Sequence, residues 1–152
     1  RRHMKIEAIK AMFDACYQAK RIRDLLPALP EGVTSSYIQY LDTIETLERQ
    51  GIRVKVSDIS AALNLPRPGV TRTVKEMEAK GYLCKQESDQ DGRVTYLSIT
   101  ESGKRLSGIY NEKYFSRLAP LLEDISEEDA ERTIRTIEKF YGVMAERGRS
   151  LE

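Results

Sequence analysis

A mainly α-helical fold with one small β-hairpin is what this 152-residue sequence predicts. Three observations carry the prediction. Apolar residues recur at steps of three and four through most of the chain, the spacing of one helix face. The stretch Val94 to Ile99 alternates instead, Thr95, Leu97 and Ile99 on one side and Val94, Tyr96 and Ser98 on the other, as in a half-buried strand. Charged side chains make up 32% of the residues, above the roughly 25% of an average globular chain, which suits exposed helix faces. The length fits one domain, expected over residues 4–150.

The elements follow in order. Residues 5–29 read as a helix, with Ile9, Met12, Cys16, Ala19, Ile22, Leu26 and Leu29 on its stripe and Pro27 and Pro30 loosening or ending it. After the linker Pro30-Glu31-Gly32, Thr34 or Ser35 caps a second helix that turns Tyr37, Leu41, Ile44 and Leu47 to one face and stops at Gly51. A short helix opens at Val56-Ser57-Asp58 with Ser57 as cap, and Asn64 suits the left-handed turn behind it. The next helix runs to about Lys80 and ends at Gly81. The hairpin spans Tyr82–Glu87 and Arg93–Ile99 around the tip Ser88-Asp89-Gln90-Asp91-Gly92. Thr100 caps a long helix from about Glu101 to Leu122, which Pro120 kinks or terminates. Ser126, followed by Glu127, Glu128 and Asp129, starts the last helix, with Ala130, Ile134, Ile137, Tyr141 and Met144 on one face. One small domain has little room to bury both terminal stripes. The first and last helices (5–30 and 126–147) therefore predict a partner surface, most simply a second copy of the chain.

Several function classes drop out. No apolar run approaches the roughly 18 residues of a membrane-spanning helix, and no secretory pattern opens the chain, so the cytoplasm is the expected compartment. Two cysteines, Cys16 and Cys84, encode no disulfide framework. The single histidine, His3, excludes a multi-histidine metal site and a Ser-His or Cys-His catalytic centre. No metal, cofactor or enzymatic activity is expected. Arg1-Arg2-His3-Met4 reads as a cloning remnant ahead of a native Met4, and Leu151-Glu152 as a second. The net charge of +1 conceals an uneven distribution: +4 over residues 1–30, −2 over 31–65, +2 over 66–111 and −3 over 112–152. No segment announces nucleic-acid binding by charge alone, so any DNA contact must use a local minority of the cations.

Residues 56–106 are the informative stretch. A short helix, a turn of about three residues and a second helix form a helix-turn-helix, and the hairpin behind it is a wing. With Val70 at zero and about 100° per residue, Val74 and Met77 pack inward. Pro68, Arg72, Lys75 and Ala79 fall on the opposite face, flanked by Thr71 and Glu76. An outward Arg and Lys less than one turn apart suit base edges and phosphates, although an ordinary solvated helix face carries the same pattern. On the wing, Arg93 sits at the edge of a tight turn and suits the negative potential of a narrow minor groove. Asp91 reads as its holder, accepting hydrogen bonds from Arg93 or a nearby arginine.

These residues resemble the MarR family of bacterial transcription regulators. The resemblance rests on Val56-Ser57-Asp58-Ile59 with Leu63, on Val70-Thr71-Arg72 and on Lys80-Gly81-Tyr82-Leu83. It continues through Asp89, Asp91 and Arg93 to Ile99-Thr100 with Gly103. The order and length of the flanking helices extend it over almost the whole chain. It implies a winged helix-turn-helix lobe (34–100) and a helical dimerisation body. It also implies a homodimer on a pseudo-palindromic double-stranded DNA operator, usually as a repressor relieved by small phenolic compounds or oxidants. By the motif, Thr71, Arg72 and Lys75 are the recognition-helix candidates and Arg93 the wing arginine. The sequence departs from the family where a hydroxyl-rich stretch usually opens the recognition helix: here Pro66-Arg67-Pro68-Gly69 stands there. Proline tolerates a first helical turn, and Arg67 replaces the lost phosphate-contacting hydroxyls.

Two further signals are implied by the same resemblance. Tyr17, Tyr37, Tyr40 and Tyr110 lie on helices expected to meet near the dimer body, where an aromatic effector would find an apolar ring and a polar tip, against the plainer reading of core packing. Cys16, beside Tyr17, matches the helix through which some members sense organic hydroperoxides, against the plainer reading of a buried small hydrophobe. A winged-helix protein-interaction module that does not bind DNA remains the alternative to a DNA-binding regulator.

Overall fold

The computed structural model describes residues 2–88, 90 and 92–152. In chain order they form α1 (Ile6–Asp24), α2 (Ser35–Arg49), α3 (Val56–Leu63), α4 (Arg67–Ala79), β1 (Leu83–Glu87), β2 (Thr95–Ile99) and α5 (Glu101–Gly108). A π-helical segment (Ile109–Phe115), the short α6 (Ser116–Leu118) and a 3-10 turn (Ala119–Leu122) lead to α7 (Glu127–Arg147) and a last 3-10 turn (Gly148–Leu151). Two compact units result, one running to Lys104 and the other from Arg105 to Glu152.

The core of the first unit is built from the faces that periodicity marks. α2 contributes Tyr37, Ile38, Tyr40, Leu41 and Ile44, α3 Ile59, and α4 Val70, Val74 and Met77, all buried. The hairpin is antiparallel, pairing Leu83 with Ile99, Lys85 with Leu97 and Glu87 with Thr95. Val54 adds a third rung: its carbonyl accepts from Leu97 N at 2.8 Å, and both side chains are buried. Asn64 takes the left-handed conformation (φ 52°), so that Leu65 N reaches Ser60 O at 3.1 Å and closes α3. Gly81 (φ 82°) does the same for α4, with Tyr82 N donating to Met77 O at 2.9 Å.

The junction of wing and α5 is tight. Thr100 Oγ1 donates to Gly81 O at 2.5 Å and accepts from Gly103 N at 3.1 Å, capping α5 as expected. Gly103 lies so close to β2 that a Cβ there would come within 2.7 Å of Ile99 Cγ2 and closer still to the Tyr82 carbonyl oxygen. Only glycine fits.

Local boundaries differ from expectation in four places. α1 stops at Asp24 rather than continuing to residue 29 or 30, because Leu26 precedes Pro27 and is pushed out of the helical region. The cap of α3 is not Ser57. The helix starts at Val56, and Asp58 Oδ2 reaches back to accept from Lys55 N at 2.8 Å. Thr34 occupies the cap position of α2, but its hydroxyl makes no capping bond. The strands are shorter than expected, starting at Leu83 and Thr95.

The run from Glu101 to Leu122, most of it in the second unit, is helical throughout but not α-helical throughout. Its middle seven residues, Ile109–Phe115, adopt the wider π geometry, and Pro120 falls in the 3-10 turn that ends the run. Tyr110 is buried there, its ring centroid 6.4 Å from that of Tyr114 and 5.8 Å from that of Phe115. Ser126 caps α7 as expected, its Oγ accepting from Asp129 N at 3.0 Å. Neither α1 nor α7 contains a buried residue. Their apolar side chains stand in solvent: Ile6, Ile9, Phe13 and Ile22 on α1, and Ile134, Ile137, Tyr141 and Met144 on α7. No helix of the described residues is long and apolar enough to cross a membrane.

Candidate nucleic-acid interface

α4 is clamped to the first unit by its inner face. Val70 and Met77 are 0% exposed and Val74 1%, which fixes the rotation of the helix about its axis. Its outer face is thereby also fixed. Pro68, Thr71, Arg72, Lys75, Glu76 and Ala79 line one shallow, open groove along it, the same set that helical geometry places opposite Val70. Arg67, Arg72 and Lys75 are exposed and make no ion pair with the described residues. Their donors are thereby available to a partner.

The start of α4 explains how the proline-rich stretch is accommodated. Pro66 is the cap residue in extended conformation (φ −61°), and Pro68 lies in the first turn, where its missing N–H costs no helical bond. Val70 N closes the turn onto Pro66 O at 3.3 Å. At the far end, Glu78 pairs with Lys85 of β1 at 3.6 Å and ties the helix to the wing.

Arg93 is exposed in the turn ahead of β2, and the loop is closed by Ser88 N donating to Val94 O at 3.0 Å. Asp91, assigned as its holder from the sequence, lies outside the described residues. Behind the wing, the Arg53 guanidinium stacks 3.9 Å from the centre of the Tyr96 ring.

The tyrosines do not share one environment. Tyr17 is 74% exposed on α1, whereas Tyr37 and Tyr40 are buried in the core of the first unit and Tyr110 in the second. Tyr37 donates its hydroxyl to Glu76 Oε2 at 3.1 Å, and its ring packs 6.2 Å from that of Tyr82. Lys80 Nζ lies 5.1 Å from the same ring and donates to Gly32 O at 2.5 Å. Cys16, expected on a buried stripe, is exposed, because the whole of α1 is unburied in the single chain. Cys84 is exposed too. Sequence reading placed Glu76 beside the groove but missed its bond to Tyr37, since nothing local links residues 39 positions apart.

Residues 31–94, which hold the whole of α2 to α4 and the start of the wing, match the sequence model of the MarR family. This segment belongs to the MarR family. Its relatives include the transcriptional repressor MprA of Escherichia coli (strain K12), 34% identical over 73 residues, or 48% of this chain and 40% of that protein. The transcriptional regulator AdcR of Streptococcus pyogenes is 24% identical over 94 residues, 62% of this chain and 63% of the regulator. The chain thus matches less than half the length of MprA. Among solved structures, Streptococcus pneumoniae FabT in complex with DNA superposes with a TM-score of 0.61 at 19% identity, covering 91% of this chain and 94% of FabT. AdcR itself superposes with a TM-score of 0.61 at 21% identity, covering 95% and 98%. The MarR-family winged helix is therefore the fold of this chain, with α3 and α4 as its helix-turn-helix and β1 and β2 as its wing.

Proposed function

We propose that this protein is a homodimeric, cytoplasmic transcriptional repressor that reads a pseudo-palindromic double-stranded DNA operator with α4 and touches the flanking minor groove with its wing. One observation carries the reading: Arg72 and Lys75, without ion pairs to the described residues, stand on the outer face of a helix whose inner face is fully buried. A solvated helix face needs no such rigidity, whereas a helix that reads base edges must hold its side chains in register with the groove. Arg67, Pro68 and Thr71 extend the surface towards the helix start, where phosphates suit the free N–H groups. FabT, of the same fold, is known in complex with DNA, and MprA is a repressor, which supports the reading.

The dimer is carried by α1 and α7. Their unburied isoleucines and aromatic residues form apolar stripes that a lone chain leaves in water. Pairing two copies through these stripes would cover them and relate two recognition helices by a two-fold axis. Fluorescence anisotropy with duplexes from the protein's own upstream region, against random duplex, tests the DNA reading. Expected is tighter binding to an upstream fragment, with salt-dependent affinity for both. Equal affinity for all duplexes, or none, would refute it and favour a protein-interaction module.

The release signal in this proposal is a small aromatic acid, with oxidation at the exposed Cys16 as the other candidate. Such a ligand must bind the DNA-incompetent arrangement better than the competent one, and it weakens operator affinity by that ratio. Tyr17, Tyr37, Tyr40 and Tyr110 are the tyrosines assigned to it; the last three are buried, so a ligand contact with any of them has to displace packing. A panel of aromatic acids and peroxides that leaves the operator complex unchanged would remove this part of the proposal.

A further inference from the structure

The outer face of α4 carries a carboxylate that a DNA-binding surface has reason to avoid. Glu76 lines the same groove as Arg72 and Lys75 and is exposed. Beside phosphates it would be repelled, and no described lysine or arginine neutralises it. It is nonetheless held in place. Tyr37, 1% exposed and locked by the Tyr82 ring and the Lys80 ammonium, donates to Oε2 at 3.1 Å. The second oxygen, Oε1, has no partner among the described residues. The result is a held carboxylate, open to a partner at Oε1, on the same face as the donors Thr71, Arg72 and Lys75.

Resting on the proposed DNA reading, we infer that Glu76 is a specificity-determining residue that accepts a hydrogen bond from the N4 amino group of a cytosine in the major groove, with Tyr37 as its positioning residue. Cytosine N4 is the group in that groove that carboxylates are suited to read. A carboxylate held by a buried phenol has less side-chain freedom to lose on binding, and a thymine or guanine oxygen at the same place repels it. Glu76 follows Arg72 by four residues, just over one helical turn or about 6 Å along the axis, against roughly 3.4 Å per base step. The cytosine therefore lies one or two base pairs from the base that Arg72 reads.

The test is selection of bound duplexes from a randomised library, followed by sequencing, with the full-length protein and the variants Glu76→Ala, Tyr37→Phe and Arg72→Ala. Expected is a cytosine in each half-site, one or two positions from the one that Arg72→Ala relaxes. Glu76→Ala should reduce the preference for that cytosine about tenfold without weakening binding to random duplex. Tyr37→Phe keeps the ring in the core and should reduce the same preference by a smaller factor while leaving the other positions untouched. A merely structural role for Tyr37 would instead lower affinity evenly over all sequences. Full retention of every preference by Glu76→Ala overturns the inference, and retention by Tyr37→Phe alone overturns the positioning role. If the unaltered protein selects no motif and binds no better than Arg72→Ala, the DNA reading itself falls, and this inference with it.

Discussion

Removing Arg72 and removing Arg93 should damage DNA binding in different ways. Arg72 makes no ion pair with the described residues and is exposed, so Arg72→Ala takes nothing from the packing of α4, which rests on Val70, Val74 and Met77. Its whole effect should appear in binding. A guanine contact from Arg72 is worth about 1–3 kcal/mol per half-site. Two half-sites in a dimer double this to about 2–6 kcal/mol on the operator, with a far smaller loss on random duplex. Arg93 sits on the wing turn, and in the proposed complex it would meet backbone charge rather than base edges. Arg93→Ala should weaken both duplexes by similar factors. Losing one phosphate contact per wing lowers the slope of log affinity against log salt by about 1.8 for the dimer. Doubling the salt then costs the unaltered protein about 3.5-fold more affinity than the variant. Anisotropy isotherms on operator and random duplex at two salt concentrations measure all four quantities. The division of labour is refuted if both variants lose specificity equally, and DNA binding by this surface is refuted if neither loses affinity.

Three further outcomes follow from the packing. Ile137 is 54% exposed in the single chain, and Ile137→Asp should place an unpaired charge in the proposed dimer interface. Sedimentation should then show a shift to monomer, and a folded monomer for the unaltered protein at micromolar concentration would exclude the dimer. Gly103→Ala forces a Cβ within 2.7 Å of Ile99 Cγ2 and should cost about 2–3 kcal/mol in chemical denaturation, with no loss if the wing junction is softer than it looks. Ser126→Ala removes the Oγ that accepts from Asp129 N and should cost about 1 kcal/mol of stability, while Ser126→Asp should retain most of it.

The fold was readable where local chemistry and tertiary packing agree. Asn64 announces a left-handed turn because few residues tolerate one, and Ser126 with its three following acids announces a helix start because its hydroxyl answers a free amide and the acids complement the helix dipole. The outer face of α4 was readable for the same reason: a helix with Val70, Val74 and Met77 inside has only one outside. What sequence hid was non-local or cooperative. The residues Ile109–Phe115 continue an α-helical periodicity, and nothing in them marks the wider π turns, which depend on how Tyr110, Tyr114 and Phe115 settle together. Ser57 looks like a better cap than Lys55, but the Asp58 carboxylate reaching back one turn decides the start of α3. The Tyr37–Glu76 bond spans 39 residues and needs α2 and α4 already in place.

If α4 reads DNA as proposed, the two prolines that open it bear on how related sequences are told apart. Pro66 and Pro68 fix two backbone angles at the start of the helix, just after the left-handed Asn64. Little conformational freedom is left there to surrender on docking, so the helix meets the groove preorganised. A stiff reader has a corresponding weakness: it cannot shift its axis to rescue a poorly matched site. Near-cognate sequences should therefore be reached as fast as the true one and abandoned sooner, so that discrimination resides in residence time rather than in the rate of arrival.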